Sequence, residues 1–180
     1  MVPLSLRAWA AAALLAAAGT ALAQADREVQ VKAAFLYKFG DFVDWPENAF
    51  DGSGGVFVIG VIGADAIAAE LERVTASRSI QERQVVVRRL QRGEAPGQLH
   101  VLFVGEAEGA RLGEVLATVK GQPLLVVTES ENALQRGSVI NFVAIGDKLR
   151  FDVALPPAER ARLRISSRLL AVARKVVPGL

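Results

Sequence analysis

Cysteine is absent from this chain of 180 residues, and histidine occurs once, at His100. Without thiols the protein cannot form disulfides, use a cysteine nucleophile or bind a metal through cysteine. A zinc site with one histidine would need carboxylate ligands from positions that the sequence does not identify. We therefore predict no metal, no cofactor, and a fold that depends on its hydrophobic core.

A strong excess of one charge is also absent. Lysine and arginine number 21 against 19 acidic residues, and loss of Arg7 with the N-terminal segment would leave 20 against 19, a net charge of +1. Nucleic-acid-binding proteins usually carry a clear basic excess. The composition therefore gives no reason to expect a nucleic-acid partner.

Long apolar runs are confined to the N-terminus. Arg7 precedes the run AWAAAALLAAAG, and small residues follow at Ala21 and Ala23. This pattern is typical of a secretory signal, so we predict a signal peptide at 1–23, cleaved after Ala23, and one domain at 24–180. The run is short for a membrane span, which needs about 20 apolar residues, although an uncleaved anchor is the alternative.

The rest of the chain alternates between apolar runs and amphipathic segments. The runs VFVIGVIG, LHVLFVG and PLLVVTES predict strands buried on both faces, at 56–62, 99–104 and 123–127. Helices are predicted between strands, at ADAIAAELERVTAS with Asp65 as N-cap and at AEGARLGEVLATVKG, closed by Gly121. With an antiparallel hairpin at 138–153, this order predicts the α/β class, as a single three-layer domain with a central mixed sheet flanked by helices.

Residues 27–44 have the periodicity of an amphipathic helix that ends at a Trp-Pro pair. At roughly 100° per residue, an apolar arc of about 120° opposes a polar side. The apolar arc contains Phe35, Leu36, Phe39, Phe42 and Val43, and the polar side contains Tyr37, Lys38, Asp41 and Asp44. A membrane-surface helix usually has a strongly basic polar side, so these residues favour a core helix.

Two residues of this region stand out. Lys32 falls inside the apolar arc, where its side chain either snorkels to solvent or faces a site. Trp45 precedes Pro46, which disfavours helical geometry and places the indole at a bend. A tryptophan at a bend is most simply a packing anchor, with a ligand platform as the alternative.

Few motifs point to chemistry. His100 lies within an apolar strand pattern, which favours a core or sheet-edge position, and no G-x-S-x-G motif accompanies it. The segment GVIGAD has the form of a turn that could receive an anion at a helix N-terminus, but it lacks the complete dinucleotide and Walker patterns. We predict no catalytic residue.

The C-terminal region is rich in arginine. Arg160, Arg164 and Arg168 have i, i+4, i+8 spacing and would share one face of an unbroken helix, unless Ser166 breaks it. The closing segments PPAERARL and SSRLLAVARKV are predicted as helices, the second capped by Ser166 or Ser167. The arginines form either a solvated face or a basic surface for an acidic partner or a small anion.

Two segments carry a family resemblance. VKAAFLYKFGDFVDWP near the start, and GSVINFVAIGDKLRFDVAL followed by LRISSRLLAVARKV near the end, resemble the signatures of the YfiR-like family. Ser138 and Ala154 depart from it, since glycine and asparagine are frequent at these places in the family. The matching positions are Trp45, Pro46, Asn141, Phe142, Arg150, Phe151, Leu163, Ser166, Ser167 and Leu169.

The resemblance implies an exported, periplasmic α/β protein without enzymatic activity. It further implies a regulator that contacts the periplasmic portion of a membrane-bound diguanylate cyclase and so lowers cyclic-di-GMP output. Relatives can carry disulfides, and the absence of cysteine excludes redox gating of that kind here. Candidate residues for binding a partner or ligand are Trp45, Asn141, Arg150, Arg160, Arg164 and Arg168.

Other functions remain open at this point. A periplasmic small-molecule sensor, with a pocket near Trp45 or in the Gly60–Asp65 turn, is the main alternative. A hydrolase has hardly any support in the sequence. A homodimer is compatible with every one of these functions.

Overall fold

The apolar runs form the middle of an eight-stranded mixed sheet. The structure, a computed structural model, describes residues 24–179, and the predicted signal peptide lies outside them. The strands of the sheet are β2 (Phe57–Ile62), β3 (Ser79–Ile80), β4 (Arg83–Leu90), β5 (Val101–Val104), β6 (Leu125–Thr128), β7 (Ile140–Ile145), β8 (Lys148–Ala154) and β10 (Lys175–Val177). Their order across the sheet is β10-β8-β7-β6-β5-β2-β4-β3.

Helices cover the sheet unequally on its two faces. The α-helices of the described chain are α1 (24–39), α2 (Asp65–Thr75), α3 (Leu112–Thr118), α4 (Ala133–Arg136), α5 (Leu155–Arg160) and α6 (Ser167–Val172). Apolar residues of α1 and α2 belong to the larger core on one face, which we name the α1 face. Residues of α3 and α4 belong to a second core on the opposite α3 face, so the α/β fold prediction is confirmed.

The three strands predicted to be buried are central and fully covered. β2, β5 and β6 are buried along their whole length because side chains on both of their faces meet a helical layer. β2 pairs in parallel with β4 and β5, and β5 with β6. The predicted hairpin is β7 with β8, antiparallel and in the same sheet.

The first helix packs on the sheet as predicted, but it is shorter than the sequence suggests. α1 ends at residue 39 and is followed by a 3₁₀ turn at Gly40–Phe42 and the two-residue strand β1 (Val43–Asp44). Tyr37, predicted on the polar side, is buried, and its hydroxyl donates to the Ser79 carbonyl at 3.0 Å. A tyrosine ring can enter the core when its hydroxyl finds such an acceptor.

The C-terminal region differs most from the prediction. The two predicted helices are present as the shorter helices α5 and α6. Strand β9 (Arg164–Ile165) separates them and pairs antiparallel with β1. The segment after α6 is not helical but is strand β10, parallel to β8. Ser166 caps α6 as predicted, since its Oγ accepts from the Arg168 amide at 3.3 Å.

Two predicted helix boundaries are also wrong. Asp65 is the first residue of α2, and the N-cap is Ala64, which makes no side-chain cap bond. The segment after β5 begins as a 3₁₀ helix at Glu106–Arg111, and α3 ends at Thr118, before Gly121.

No helix within residues 24–179 is both long and apolar enough to cross a bilayer.

Candidate functional site: a charged cleft on the open sheet face

The α3 face is left uncovered over β7, β8 and β10. α3 and α4 lie over the neighbouring part of the sheet, and among residues 24–179 no helix continues the layer. The result is a cleft of about 830 Å³, which we name the sheet cleft. Its charged and amide side chains are those of Glu129, Glu131, Asn132, Gln135, Asn141, Asp152, Arg160, Arg174 and Lys175.

Strand alternation places the polar residues of the hairpin in this cleft. Phe142 and Phe151 lie opposite each other and belong to the α1-face core. Their neighbours Asn141 and Asp152, which are also directly opposed, therefore point to the α3 face and line the cleft. Arg150, two residues before Asp152, shares that face and is exposed.

A buried hydroxyl network holds Asn141. Its Oδ1 accepts from the Thr128 hydroxyl at 2.6 Å, and the Thr128 and Ser138 hydroxyls are 2.9 Å apart. Thr128 and Ser138 are both fully buried, and the Ser138 hydroxyl also donates to the Ile140 carbonyl at 2.8 Å. Ser138, which departs from the family pattern, thus lies against the Thr128 hydroxyl that holds the Asn141 side chain.

Asp152 and Arg174 form the main ion pair of the cleft. Arg174 Nε lies 2.7 Å from Asp152 Oδ1, and a second bond joins Nη2 to Oδ2, so the contact is bidentate. Only 6% of Asp152 is exposed. Its carboxylate raises the pKa of Arg174 above the ordinary value through these hydrogen bonds. Arg174 thus neutralises a carboxylate that would otherwise be buried without a counter-charge.

At one end of the cleft a second ion cluster joins the two sides of the sheet. Lys32 Nζ of α1 lies 2.5 Å from Glu129 Oε2 and 2.5 Å from Glu28 Oε1. Burial acts to lower the pKa of Lys32, but the two carboxylates outweigh it and raise the pKa. Glu129 Oε1 also accepts from the Glu106 amide at 2.9 Å. Lys32 therefore faces this charged site instead of reaching bulk solvent.

Three cations and one carboxylate in the cleft or directly beside it have no such partner. The cations Arg150, Arg160 and Lys175 and the carboxylate of Glu131 are exposed. None of the four forms an ion pair within residues 24–179. The free charge of this face is therefore mainly positive.

The structure brings only some of the candidate residues together at the sheet cleft. Asn141 and Arg160 line the cleft, and Arg150 lies beside it on the same face. Arg164 and Arg168 do not line it. Arg160 ends α5, Arg164 lies in β9 and Arg168 lies in α6, so the helix is broken and the three arginines share no helical face. The exposed Arg164 guanidinium lies 3.4 Å from Asp44 instead.

Trp45 lies at the opposite, amino end of the parallel strands. Its indole Nε1 donates to the Gly40 carbonyl at 3.3 Å, and its ring packs edge-on against Phe57 and His100. His100 is fully buried and packs against both Phe50 and Phe57, with ring centroids 4.6 and 4.8 Å away. Trp45 is thus part of an aromatic cluster and contributes no surface to the cleft.

His100 is held neutral by its surroundings. Its Nδ1 accepts a hydrogen bond from the Val58 amide at 2.9 Å. Burial lowers its pKa to about 4, against the weaker opposing effect of the Ala49 carbonyl. The predicted core position of His100 is confirmed.

The Gly60–Asp65 turn, the other place considered for a ligand, is filled by backbone. β2 and β5 are neighbours whose following helices lie on opposite faces, which is where doubly wound proteins usually bind ligands. A Cβ atom on Gly105 would lie only 2.3 Å from the Gly63 carbonyl oxygen. The two turns therefore touch, and the crevice between them has no room for a ligand.

A second, more apolar cavity lies between α3 and the segment after β4. It has a volume of about 450 Å³, and Ile62, Leu90, Leu102 and Val115 form apolar parts of its lining. At its rim, Arg92 Nε lies 2.6 Å from the carboxylate of the buried Glu108. It is the best candidate for an apolar small molecule in the described chain.

Sequence reasoning missed Asp152, Arg174, Lys175 and Glu129. Asp152 carries one usable signal, because an acidic residue between Phe151 and Val153 in a strand must point away from their core. Arg174 and Lys175 carry none, since the local sequence predicts a helix there and does not reveal the pairing with β8. Glu129 depends on a contact with Lys32, 97 positions away.

The fold and the cleft define an α/β domain with an open, charged sheet face suited to binding. Comparison with protein families finds a YfiR/HmsC-like domain at residues 29–174, so the chain belongs to the YfiR/HmsC-like family. The resemblance seen in the sequence is thereby confirmed. No curated protein matches the chain.

One similar solved structure is a conserved domain protein from Vibrio cholerae O1 biovar El Tor strain N16961. The two share 13% sequence identity with a TM-score of 0.49, and the match covers 67% of this chain and 55% of that one. This chain thus matches just over half the length of that protein.

Proposed function

We propose that the protein is an exported regulator that binds the periplasmic portion of a membrane-bound diguanylate cyclase and lowers cyclic-di-GMP output. The observation that carries this proposal is membership of the YfiR/HmsC-like family over residues 29–174. The sheet cleft supports it, because it offers an exposed, charged surface to a protein partner.

The protein acts in this proposal by binding and not by catalysis. His100 is fully buried against the rings of Phe50 and Phe57, and its Nδ1 accepts from the Val58 amide, so a substrate cannot reach it. The charged groups of the cleft are arranged as ion pairs and exposed cations, which suit recognition of an opposite charge.

Deletion of the gene tests the regulatory role. We expect cyclic-di-GMP, measured by mass spectrometry, and surface attachment to rise, and both effects to vanish when the cyclase gene is also deleted. Complementation with a folded His100→Asn variant should restore repression, because the histidine takes no part in it. Unchanged cyclic-di-GMP under every growth condition tried would overturn the proposal.

Export is tested separately. The mature protein should begin at Gln24 and be recovered from the soluble periplasmic fraction, as fractionation and N-terminal sequencing would show. An intact segment 1–23 in the membrane fraction would instead identify an anchor. Retention in the cytoplasm would remove any contact with a periplasmic domain.

A second candidate function is sensing of a small apolar molecule. The observation that favours it is the 450 Å³ cavity beside α3, whose volume and apolar lining suit a small ligand. A Leu102→Trp substitution would fill this cavity. If repression then loses its response to an added compound while the unliganded protein still represses, the cavity is a sensor site.

A further inference from the structure

We propose that the sheet cleft binds an extended, acidic segment of a protein partner, which adds to the sheet at β10 and places carboxylates against Arg160 and Lys175. This inference rests on the proposed function, for which it specifies the contact surface and the chemistry of the partner. It depends on the cleft's lining, its free charges and the edge of the sheet.

The lining favours a protein segment over a small molecule. Small-molecule sites are mostly enclosed and apolar, with a few polar groups that orient the ligand. The sheet cleft instead lies open across three strands and has nine charged or amide side chains in its lining. An extended peptide can cover such a surface, because its backbone and side chains supply many polar contacts at once.

The charges that have no ion-pair partner favour an acidic partner. The charges of Asp152 and Arg174 cancel, whereas the cluster of Glu28, Lys32 and Glu129 keeps one net negative charge. Arg160 and Lys175 remain in the cleft with no ion-pair partner in residues 24–179, and Arg150 adds a third such cation on the same face. Among the residues that line the cleft, Glu131 is the one carboxylate without an ion pair. It follows the carboxyl end of β6, whereas Arg160 follows the carboxyl end of the oppositely directed β8, so the two lie at opposite ends of the cleft.

The edge of the sheet gives the segment a backbone partner. β10 pairs with β8 on one side only, and within residues 24–179 no strand occupies its other side. Lys175 and Val177 of β10 line the cleft, so a strand added at this edge would have alternate side chains beside them. Strand addition to an exposed edge is a common mode of peptide recognition.

A second copy of this chain fits the same edge poorly. Lysine on an edge strand opposes pairing of identical edges, because it brings like charges together. An acidic strand removes this repulsion and replaces it with attraction. The edge therefore favours a partner of opposite charge over self-association.

Photocrosslinking in cells tests the site directly. A photoreactive phenylalanine analogue replaces Gln135, which is exposed and lines the cleft. We expect an adduct with a membrane protein, and the crosslinked peptide should carry a clear excess of Asp and Glu. A synthetic peptide of the mapped sequence should then bind the purified full mature chain, measured by fluorescence anisotropy.

Charge reversal provides the matched comparison. Arg160→Glu with Lys175→Glu changes the charge by the same amount as Arg78→Glu with Lys38→Glu, an exposed arginine and an exposed lysine that do not line the cleft. The first pair should weaken peptide binding about tenfold or more and remove the adduct, whereas the second should leave both unchanged. Urea unfolding must show that both double variants are folded.

The outcomes separate this inference from the proposed function. If deletion raises cyclic-di-GMP but the cleft reversal still represses and crosslinks, or if a folded chain that still represses gives no adduct at Gln135, the cleft assignment is overturned and the regulatory role stands. If the adduct forms, is acidic and needs Arg160 and Lys175 while deletion changes nothing, the cleft is confirmed and the cyclase proposal fails. An adduct with a second copy, or with a segment that is not acidic, also overturns the inference.

Discussion

Phe142 and Phe151 lie directly opposite each other on β7 and β8, and both rings contact Phe39 of α1, at centroid distances of 5.8 and 5.2 Å. Phe35 completes the cluster, 5.6 Å from Phe151. The two sequence segments that carry the family resemblance therefore meet in one aromatic core. Phe142 and Phe151 belong to the fold, while the alternate residues Asn141 and Arg150 face the open side.

Removal of the central ring should destabilise the protein strongly. Phe39 is fully buried, so Phe39→Ala leaves a cavity against both strands of the hairpin and should lower the free energy of unfolding by about 3–5 kcal/mol. Urea denaturation measures this change. Gln30→Ala, at an exposed position of the same helix, should stay within about 0.5 kcal/mol of the wild type. Equal losses in the two variants would contradict the packing described.

The ion pair in the cleft predicts a coupled response. Arg174→Gln leaves the carboxylate of Asp152 buried without its charged partner and should lower the free energy of unfolding. Adding Asp152→Asn to that variant should recover part of the loss, because the buried charge is then gone. A double-mutant cycle from urea unfolding checks this, and simple additivity of the two single effects would show that the pair is not coupled.

His100 predicts a dependence of stability on acid. Its folded pKa is about 4, whereas an unfolded histidine has the ordinary value of 6.5. Between pH 6.5 and about pH 4, His100 is protonated in the unfolded chain but neutral in the folded chain. Its contribution to the free energy of unfolding is therefore fully present above pH 6.5 and is lost as the pH falls towards 4. The slope should be about 1.4 kcal/mol per pH unit.

The matched variant for this effect is His100→Asn, whose amide oxygen can still accept from the Val58 amide. Urea unfolding at several pH values between 4 and 7.5 should show a flatter profile in the variant, although the smaller side chain lowers stability at every pH. A slope unchanged from the wild type would assign the acid sensitivity to other groups.

Arg160 and Arg164 should behave differently because they lie in different elements. Arg160 lines the cleft, and we expect Arg160→Glu to weaken partner binding, more so at low salt than at high salt. Arg164→Glu disrupts only an exposed pair with Asp44, and such pairs contribute little. Copurification of the partner from detergent-solubilised membranes compares the two. If Arg164→Glu has the larger effect, the contact surface lies near β9 and not in the cleft.

The central strands were predictable because each is a continuous apolar run, and a strand covered on both faces needs one. The hairpin was predictable for a similar local reason, the turn between two alternating segments. β10 was not, since Lys175–Val177 directly follows an amphipathic segment and becomes a strand only through its pairing with β8. Tertiary pairing of this kind overrides local propensity.

The site was less predictable than the fold. The sequence identifies Asn141 and Arg160 as candidates. The cleft itself exists because a helical layer stops at α4, which no single sequence segment can predict. Which cations are unpaired is known only once the ion pairs of Asp152 and Glu129 have been located in the structure. The spacing of the three arginines misled because β9 interrupts the expected helix.

The pairing of Val43 with Ile165 has a kinetic consequence. β1 closes only when a segment roughly 120 positions later is present, and the aromatic partners of α1 on β7 and β8 also come from the last third of the chain. Contacts of such long sequence separation slow folding, since the loop must close before they form. Until the last third of the chain is available, the apolar side of α1 therefore lacks its partners on β7 and β8 and stays exposed. We expect α1 to be the segment most prone to aggregation at that stage.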